Sequence, residues 1–100
     1  MKIKQFIANH EAIEHWLNKE GALFEKDETD MSYYYDEKGI YVHILDIYTA
    51  EFKVMLNGQV EMVIEGDDID EVLFSGGGMA TSEKVLFELF NKLKKELKKC

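Results

Sequence analysis

The sequence predicts a two-layer α+β fold with an N-terminal helix, an antiparallel sheet of four to six strands, and a long C-terminal amphipathic helix packed on one sheet face. Two changes in hydrophobic period support this prediction. Apolar residues recur at three- and four-residue steps over 2–20 and 82–99, as on one face of a helix, and they alternate between 22 and 75, as in half-buried strands. With 100 residues, 46% of them apolar, we expect residues 1–100 to form a single globular domain.

The first helix is predicted over Lys2–Glu20, and Gly21 is its expected C-terminal stop. Its apolar stripe consists of Ile3, Phe6, Ile7, His10, Ile13, Trp16 and Leu17. An alternative is that Asn9 caps a shorter helix from His10 and leaves Met1–Ala8 extended. The last helix, Ser82–Lys99, places leucines and Phe90 on one face and lysines on the other, and Thr81 or Ser82 supplies its N-cap.

Strands are predicted where the period is two and turn residues intervene. The predicted strands are Ala22–Glu25, Met31–Asp36, Ile40–Tyr48, Ala50–Leu56, Gln59–Glu65 and Glu71–Ser75. A three-residue loop with Gly58 as a left-handed bulge pairs Val54 with Val60, whereas a two-residue Asn57-Gly58 turn would swap the faces. We favour the bulge because it joins the apolar sides of the two strands.

The same loop geometry at Glu37-Lys38-Gly39 assigns the residues of the second strand to faces. The predicted core face contains Tyr33, Tyr35, Tyr41, His43 and Leu45. If the connection at Thr49-Ala50 has an even number of residues, this face continues through Ile47, Phe52, Val54, Leu56, Val60, Met62 and Ile64. The opposite face is predicted to contain Glu51, Lys53, Glu61 and Glu65, together with Tyr34, Ile40, Val42, Ile44, Tyr48, Met55 and Val63. An apolar patch of this size is typical of an interface, unless a loop covers it.

No motif in the chain carries a recognisable catalytic or metal-binding pattern. His10 and His15 are five residues apart, too far around a helix for both imidazoles to bind one zinc ion, so we expect surface charge pairing with His10 partly buried. His43 is interpreted as a hydrogen-bonded core histidine. The Gly76–Gly78 run lacks the lysine of a phosphate-binding loop, and we interpret it as a flexible connection. We therefore predict a non-enzymatic protein without metal or cofactor.

The charge is strongly acidic, with a net charge of -8, and every one of the 12 basic residues is a lysine. Since arginine is favoured for recognition of phosphates and bases, its absence argues against nucleic-acid binding. The single cysteine, Cys100, has no partner within the chain, which fits a reducing compartment. No apolar run approaches the roughly 20 residues of a membrane helix. A cytoplasmic protein with no membrane contact is expected.

Two acidic runs, 25–30 and 65–71, favour binding of a protein partner with a basic surface. The hypothesis in its most specific form is a phage or mobile-element inhibitor that covers a basic nucleic-acid-binding groove, as anti-CRISPR proteins can. The predicted partner-binding residues are Glu25, Asp27, Glu28, Asp30, Glu61, Glu65, Asp67, Asp68, Asp70, Glu71, Tyr34, Val42, Ile44 and Tyr48.

Two alternatives stay open. A nucleic-acid-binding module would use the lysine-rich last helix, through Lys92, Lys94, Lys95, Lys98 and Lys99, although these lysines also complement the helix dipole. A homo-dimer or larger structural assembly would bury the apolar sheet face against another copy.

Overall fold

Five antiparallel strands follow two helices and precede a third in the computed structural model, which describes residues 2–26, 28–68 and 70–99. The sheet order is the chain order, β1 to β5, so every connection within it joins neighbouring strands. The predicted α+β fold is confirmed. The element bounds are α1 Ile3–Ala8, α2 His10–Glu25, β1 Asp30–Asp36, β2 Gly39–Leu45, β3 Thr49–Met55, β4 Gln59–Glu65, β5 Val72–Met79 and α3 Glu83–Lys99.

Asn9 divides the N-terminal helical region in two. Its backbone is extended, at φ -94° and ψ 91°, and its side-chain oxygen accepts a hydrogen bond of 3.2 Å from the Ala12 amide. The alternative with a cap at Asn9 was therefore right about where α2 begins. It was wrong about the preceding segment, because Ile3–Ala8 is helical and buries Ile3, Phe6 and Ile7.

The predicted helix stop at Gly21 and the predicted strand Ala22–Glu25 are wrong, because α2 continues to Glu25. Glycine costs a helix interior about 1 kcal/mol relative to alanine. The added helical turn buries Phe24, whose ring lies edge-on to Phe90 of α3 at 6.4 Å between centroids. Burial of a whole aromatic side chain contributes about 2–3 kcal/mol, which outweighs the cost of the glycine.

The bulged turn at Gly58 is confirmed. Val54 lies opposite Val60 and Phe52 opposite Met62, so the apolar sides of β3 and β4 share one face. Gly58 has φ +92°, a value that L side chains rarely adopt, and its amide donates to the Met55 carbonyl at 2.8 Å.

The first hairpin differs from the prediction. Its loop contains two residues, Glu37 and Lys38, because Asp36 pairs with Gly39. The Asp36 carboxylate accepts hydrogen bonds from the amides of Lys38 at 2.8 Å and Gly39 at 3.2 Å, which closes the short turn.

A loop shorter by one residue reverses the faces of β2. Ile40, Val42 and Ile44 are buried in the core, whereas Tyr41, His43 and Leu45 point to the other side of the sheet. The predicted core positions of Tyr41, His43 and Leu45 were therefore wrong. Two more predicted core residues, Ile47 and Leu56, lie in turns, with Ile47 76% exposed.

The run Gly76–Gly78 is part of β5, not a flexible connection. The ring of Phe74 lies over Gly76, with its Cζ 3.1 Å from the place of a Cβ there, and Leu89 of α3 lies 3.6 Å from the corresponding place at Gly78. The absence of a side chain at Gly76 lets the ring of Phe74 lie close against the backbone, whereas the contact with Leu89 at Gly78 is an ordinary van der Waals distance.

Helices α2 and α3 cover the buried face of the sheet. Trp16 lies at their junction with α1, with its ring centroid 5.9 Å from Phe6, 5.0 Å from Phe87 and 5.5 Å from Phe90. Lys94 of α3 binds Glu20 of α2 at 2.8 Å, and both side chains are mostly shielded from solvent. These contacts join the helix layer, and none of the described helices packs on the other side of the sheet.

Candidate functional site

The side of the sheet that faces away from the helices is the main candidate surface, and we call it the open face. None of its described side chains is buried, whereas the opposite side carries the core. The strand registers place on it Ser32, Tyr34, Tyr41, His43, Leu45, Thr49, Glu51, Lys53, Met55, Gln59, Glu61, Val63, Glu65, Ser75, Gly77 and Met79.

A row of side chains crosses the open face from β1 to β4. Tyr34 and Tyr41 are cross-strand partners whose rings stack at 4.6 Å with an angle of 16° between their planes. Lys53 is the next partner, and its Nζ lies 5.6 Å from the Tyr41 centroid, within the range of a cation–π contact. Glu61 follows on β4. The row therefore offers aromatic faces beside a carboxylate.

His43 lies in the neighbouring row and belongs to the surface. Its Nε2 lies 3.2 Å from Oε1 of Glu51, and about half of each side chain is exposed. The interpretation of His43 as a core histidine was wrong because β2 has the reverse orientation. A depression of about 240 Å³ forms between Tyr34, Tyr41, His43, Glu51 and Lys53, so the two rows enclose a shallow, polar and aromatic concavity.

Both acidic runs lie at the same end of the sheet. Register places Asp30 of β1 and Glu65 of β4 in one row, three strand spacings or about 14 Å apart. Asp46, in the turn between β2 and β3, lies between them. The topology thus joins two acidic runs that are far apart in sequence into one acidic end.

The described residues of the second acidic run form a hydrogen-bonded loop, which we call the acidic loop. The Gly66 amide donates to the Glu71 carbonyl at 2.9 Å, and Asp70 has φ +67°. A concavity of about 490 Å³ lies in this loop, lined by Glu65, Gly66, Asp67, Asp68, Asp70, Glu71 and Val72. Among the residues that the structure describes, no three or more histidine, cysteine or acidic side chains are placed to hold a metal ion.

The lysines of α3 do not form a uniform basic surface. Lys94 is bound to Glu20, and Lys99 lies 3.3 Å from Glu96. A shallow groove on the outer side of α3 brings Lys92 and Lys95 together with Glu88 and Glu96, so acids interrupt the lysines. This arrangement is weaker for phosphate binding than a continuous basic stripe.

Most of the predicted partner-binding residues are exposed in the structure. Tyr34 is 59% exposed, and Glu61 and Glu65 lie on the open face. Glu25 and Glu28 precede β1 at the acidic end, beside Asp30, and are exposed. Asp67, Asp68, Asp70 and Glu71 line the concavity of the acidic loop. Asp27 lies outside the described residues, as does Cys100.

Three predicted surface residues are corrected. Val42 and Ile44 are 1% and 0% exposed and belong to the core, because the two-residue loop turns β2 over. Tyr48 lies in the turn after β2, is half-buried, and packs against the core cluster. These three side chains are not part of the open face.

Comparison of the chain with models of protein families, with curated proteins and with solved structures gives no match. Within the described residues, no helix has both the length and the apolar character needed to cross a membrane.

Sequence reasoning missed Tyr41 and His43 as surface residues. A usable signal was present in Asp36, because aspartate at the first position of a turn accepts hydrogen bonds from the amides that follow it. That signal favours the short loop, which brings Tyr41 beside Tyr34. His10 was also expected to be partly buried, but it is exposed at the start of α2, with its ring 4.4 Å from that of Tyr35.

Proposed function

We propose that this chain is a non-enzymatic binding protein whose open face and acidic end engage a basic surface on another protein. The observation that carries the proposal is the composition of the uncovered sheet side. It combines the stacked pair Tyr34–Tyr41 with Glu51, Glu61 and Glu65 on adjacent strands, and the single described cation among its side chains is Lys53.

Charge and aromatic groups have different roles in this proposal. Carboxylates concentrated on one side of the molecule produce a negative field that increases the rate of encounter with a cationic partner. Tyrosine rings provide rigid apolar contact area and stack on guanidinium or ammonium groups. Together they suit an interface with lysine or arginine side chains at its centre.

The specific form of the proposal is an inhibitor of phage or mobile-element origin, acting in the cytoplasm, that covers a nucleic-acid-binding groove of a host protein. Such grooves are basic because they neutralise phosphates. An acidic, aromatic face can occupy them in place of the polyanion. The absence of arginine and the net charge of -8 support a chain that binds such a groove rather than nucleic acid.

The test compares two triple variants of equal charge change. The open-face variant is Glu51→Gln/Glu61→Gln/Glu65→Gln, and the control is Glu11→Gln/Glu37→Gln/Glu88→Gln, which neutralises three exposed carboxylates elsewhere. Tagged proteins are used to capture partners from host lysate, and bound protein is quantified by mass spectrometry. At about 0.5 kcal/mol for each exposed charge, the open-face variant should retain roughly tenfold less partner.

The control variant should retain the wild-type amount, and binding should weaken sharply at about 0.5 M salt because exposed charges are screened. An equal decrease of captured partner in both variants would show that net charge alone, and not the open face, determines binding. An unchanged amount of bound partner at about 0.5 M salt would refute the electrostatic mechanism.

A further inference from the structure

Strand β5 is an edge strand that lacks the charged residues and the proline that usually prevent edge-to-edge pairing. Its sequence from Val72 to Met79 contains no charged residue and no proline, and Ser75 to Met79 are all exposed. Natural edge strands are commonly protected by lysines, proline or bulges. The only such feature here is a register shift at Ile64/Glu65, which leaves Leu73 without a partner and confines regular pairing to Phe74–Met79.

The direction of the free backbone groups follows from one hydrogen bond. The Ala80 amide donates to the Gly58 carbonyl at 2.8 Å, and hydrogen-bonded and non-hydrogen-bonded pairs alternate along antiparallel strands. Gly76 and Gly78 therefore direct their N–H and C=O groups to β4. Ser75, Gly77 and Met79 direct theirs outward, where no described strand pairs with them.

The opposite edge of the sheet, β1, differs from β5 because it carries charge. Strand β1 begins and ends with Asp30 and Asp36, and helix α2 packs against its core side. The hydroxyl groups of Tyr33 and Tyr35 donate to Asn18 at 2.8 Å and to Glu14 at 2.6 Å, which holds the helix there. Of the two edge strands, β5 is therefore the one without charged residues.

We infer that β5 pairs antiparallel with β5 of a second copy of this chain to form a two-fold dimer with a ten-stranded sheet. Its neutral composition suits this occupant, because a charged residue on the edge would occur in both copies and bring like charges into one small interface. With the axis at Gly77, the glycines face each other and Ser75 faces Met79 of the other copy. The outward groups then form six backbone hydrogen bonds, and the assembly closes at two copies because a two-fold interface occupies the β5 edge of both.

Sedimentation velocity measures the expected state directly. The mass should rise from 11.6 kDa toward twice that value as the concentration rises through about 0.01–1 mM, the range of a small interface. Ser75→Pro removes an outward donor from each copy and should raise the dissociation constant at least tenfold. The control Ser75→Thr keeps the N–H and should dimerise as the wild type does.

Hydrogen exchange of the wild-type protein provides a test that does not depend on how the proline variant folds. The amides of Ser75, Gly77 and Met79 should gain protection with increasing concentration, whereas the amides along β1 should not change. A monomer throughout the concentration range, assemblies larger than two, or a dimer without protection at these three amides would each overturn the inference. The last result would instead indicate association through another surface, such as the open face.

Discussion

Two adjacent glycines of β5 should respond in opposite ways to the same substitution. At Gly77 an added Cβ would lie 2.2 Å from the backbone carbonyl oxygen of Val60 on β4. At Gly78 the atom nearest to an added Cβ would be Cδ2 of Leu89, at 3.6 Å, which is an ordinary van der Waals contact with a side chain. Gly77→Ala therefore requires two hydrogen-bonded strands to separate locally, whereas Gly78→Ala fills available space.

The magnitudes follow from these distances. Overpacking costs about 1–3 kcal/mol, and the cost at Gly77 should lie at the upper end because a backbone atom cannot rotate away. Gly78→Ala should stabilise by about 0.4–1 kcal/mol, since alanine has less conformational freedom than glycine in the unfolded chain. The two variants should therefore differ by roughly 2–4 kcal/mol, or about 10–25 °C in Tm for a domain of this size.

Thermal and urea unfolding followed by circular dichroism measure this difference. Gly76→Ala provides an intermediate case, because its Cβ would lie 3.1 Å from Cζ of Phe74, a ring that can shift. The expected order of stability is Gly78→Ala, then Gly76→Ala, then Gly77→Ala. Equal stability of the variants at 77 and 78 would refute the close approach of β5 to β4.

Three further predictions concern the helices. Asn9→Ala should lower the free energy of unfolding by about 1 kcal/mol, measured by urea denaturation, because the N-cap of α2 is lost. The hydrogen bond to Glu14 raises the pKa of the Tyr35 hydroxyl above its usual value of 10.0. The stabilising effect of this hydrogen bond is therefore complete below pH 10 and is lost as pH rises through the pKa of Tyr35 in the folded state. Absorbance titration should show that Glu14→Gln lowers this pKa, and a wild-type value in the variant would contradict the assignment. A double-mutant cycle on Lys94→Met and Glu20→Gln should give a coupling energy of about 1 kcal/mol. This is more than a fully exposed ion pair gives, because both side chains are mostly shielded from solvent. A coupling energy near zero would show that the pair contributes nothing to stability.

The sequence predicted the sheet best where only one side of a strand is apolar. In β3 and β4, Phe52, Val54, Val60 and Met62 alternate with charged or exposed residues, so only the bulged turn at Gly58 joins their apolar sides. In β2 both sides are apolar or aromatic, and the pattern does not distinguish Val42 from Tyr41. There the turn decides, and the side-chain hydrogen bonds of Asp36 favour a loop of two residues.

The sequence predicts which charged residues of the candidate site are exposed, but it does not predict how the strands arrange them. Exposed glutamates on β3 and β4 follow from simple alternation once the turn at Gly58 is known. The convergence of both acidic runs at one end of the sheet depends on strand order, which local patterns do not contain. The extension of α2 past Gly21 likewise depends on a contact with α3, more than 60 residues away in the chain.

Trp16 lies where its fluorescence can report on the packing of the three helices. It is the only tryptophan, and it touches aromatic rings from α1 and α3 while belonging to α2. Its fluorescence emission should shift to longer wavelength when any of the three helices detaches, even if the strands remain paired. Amide infrared absorption reports strand pairing separately, so a difference between the two signals during unfolding would reveal whether the helices leave before the sheet separates.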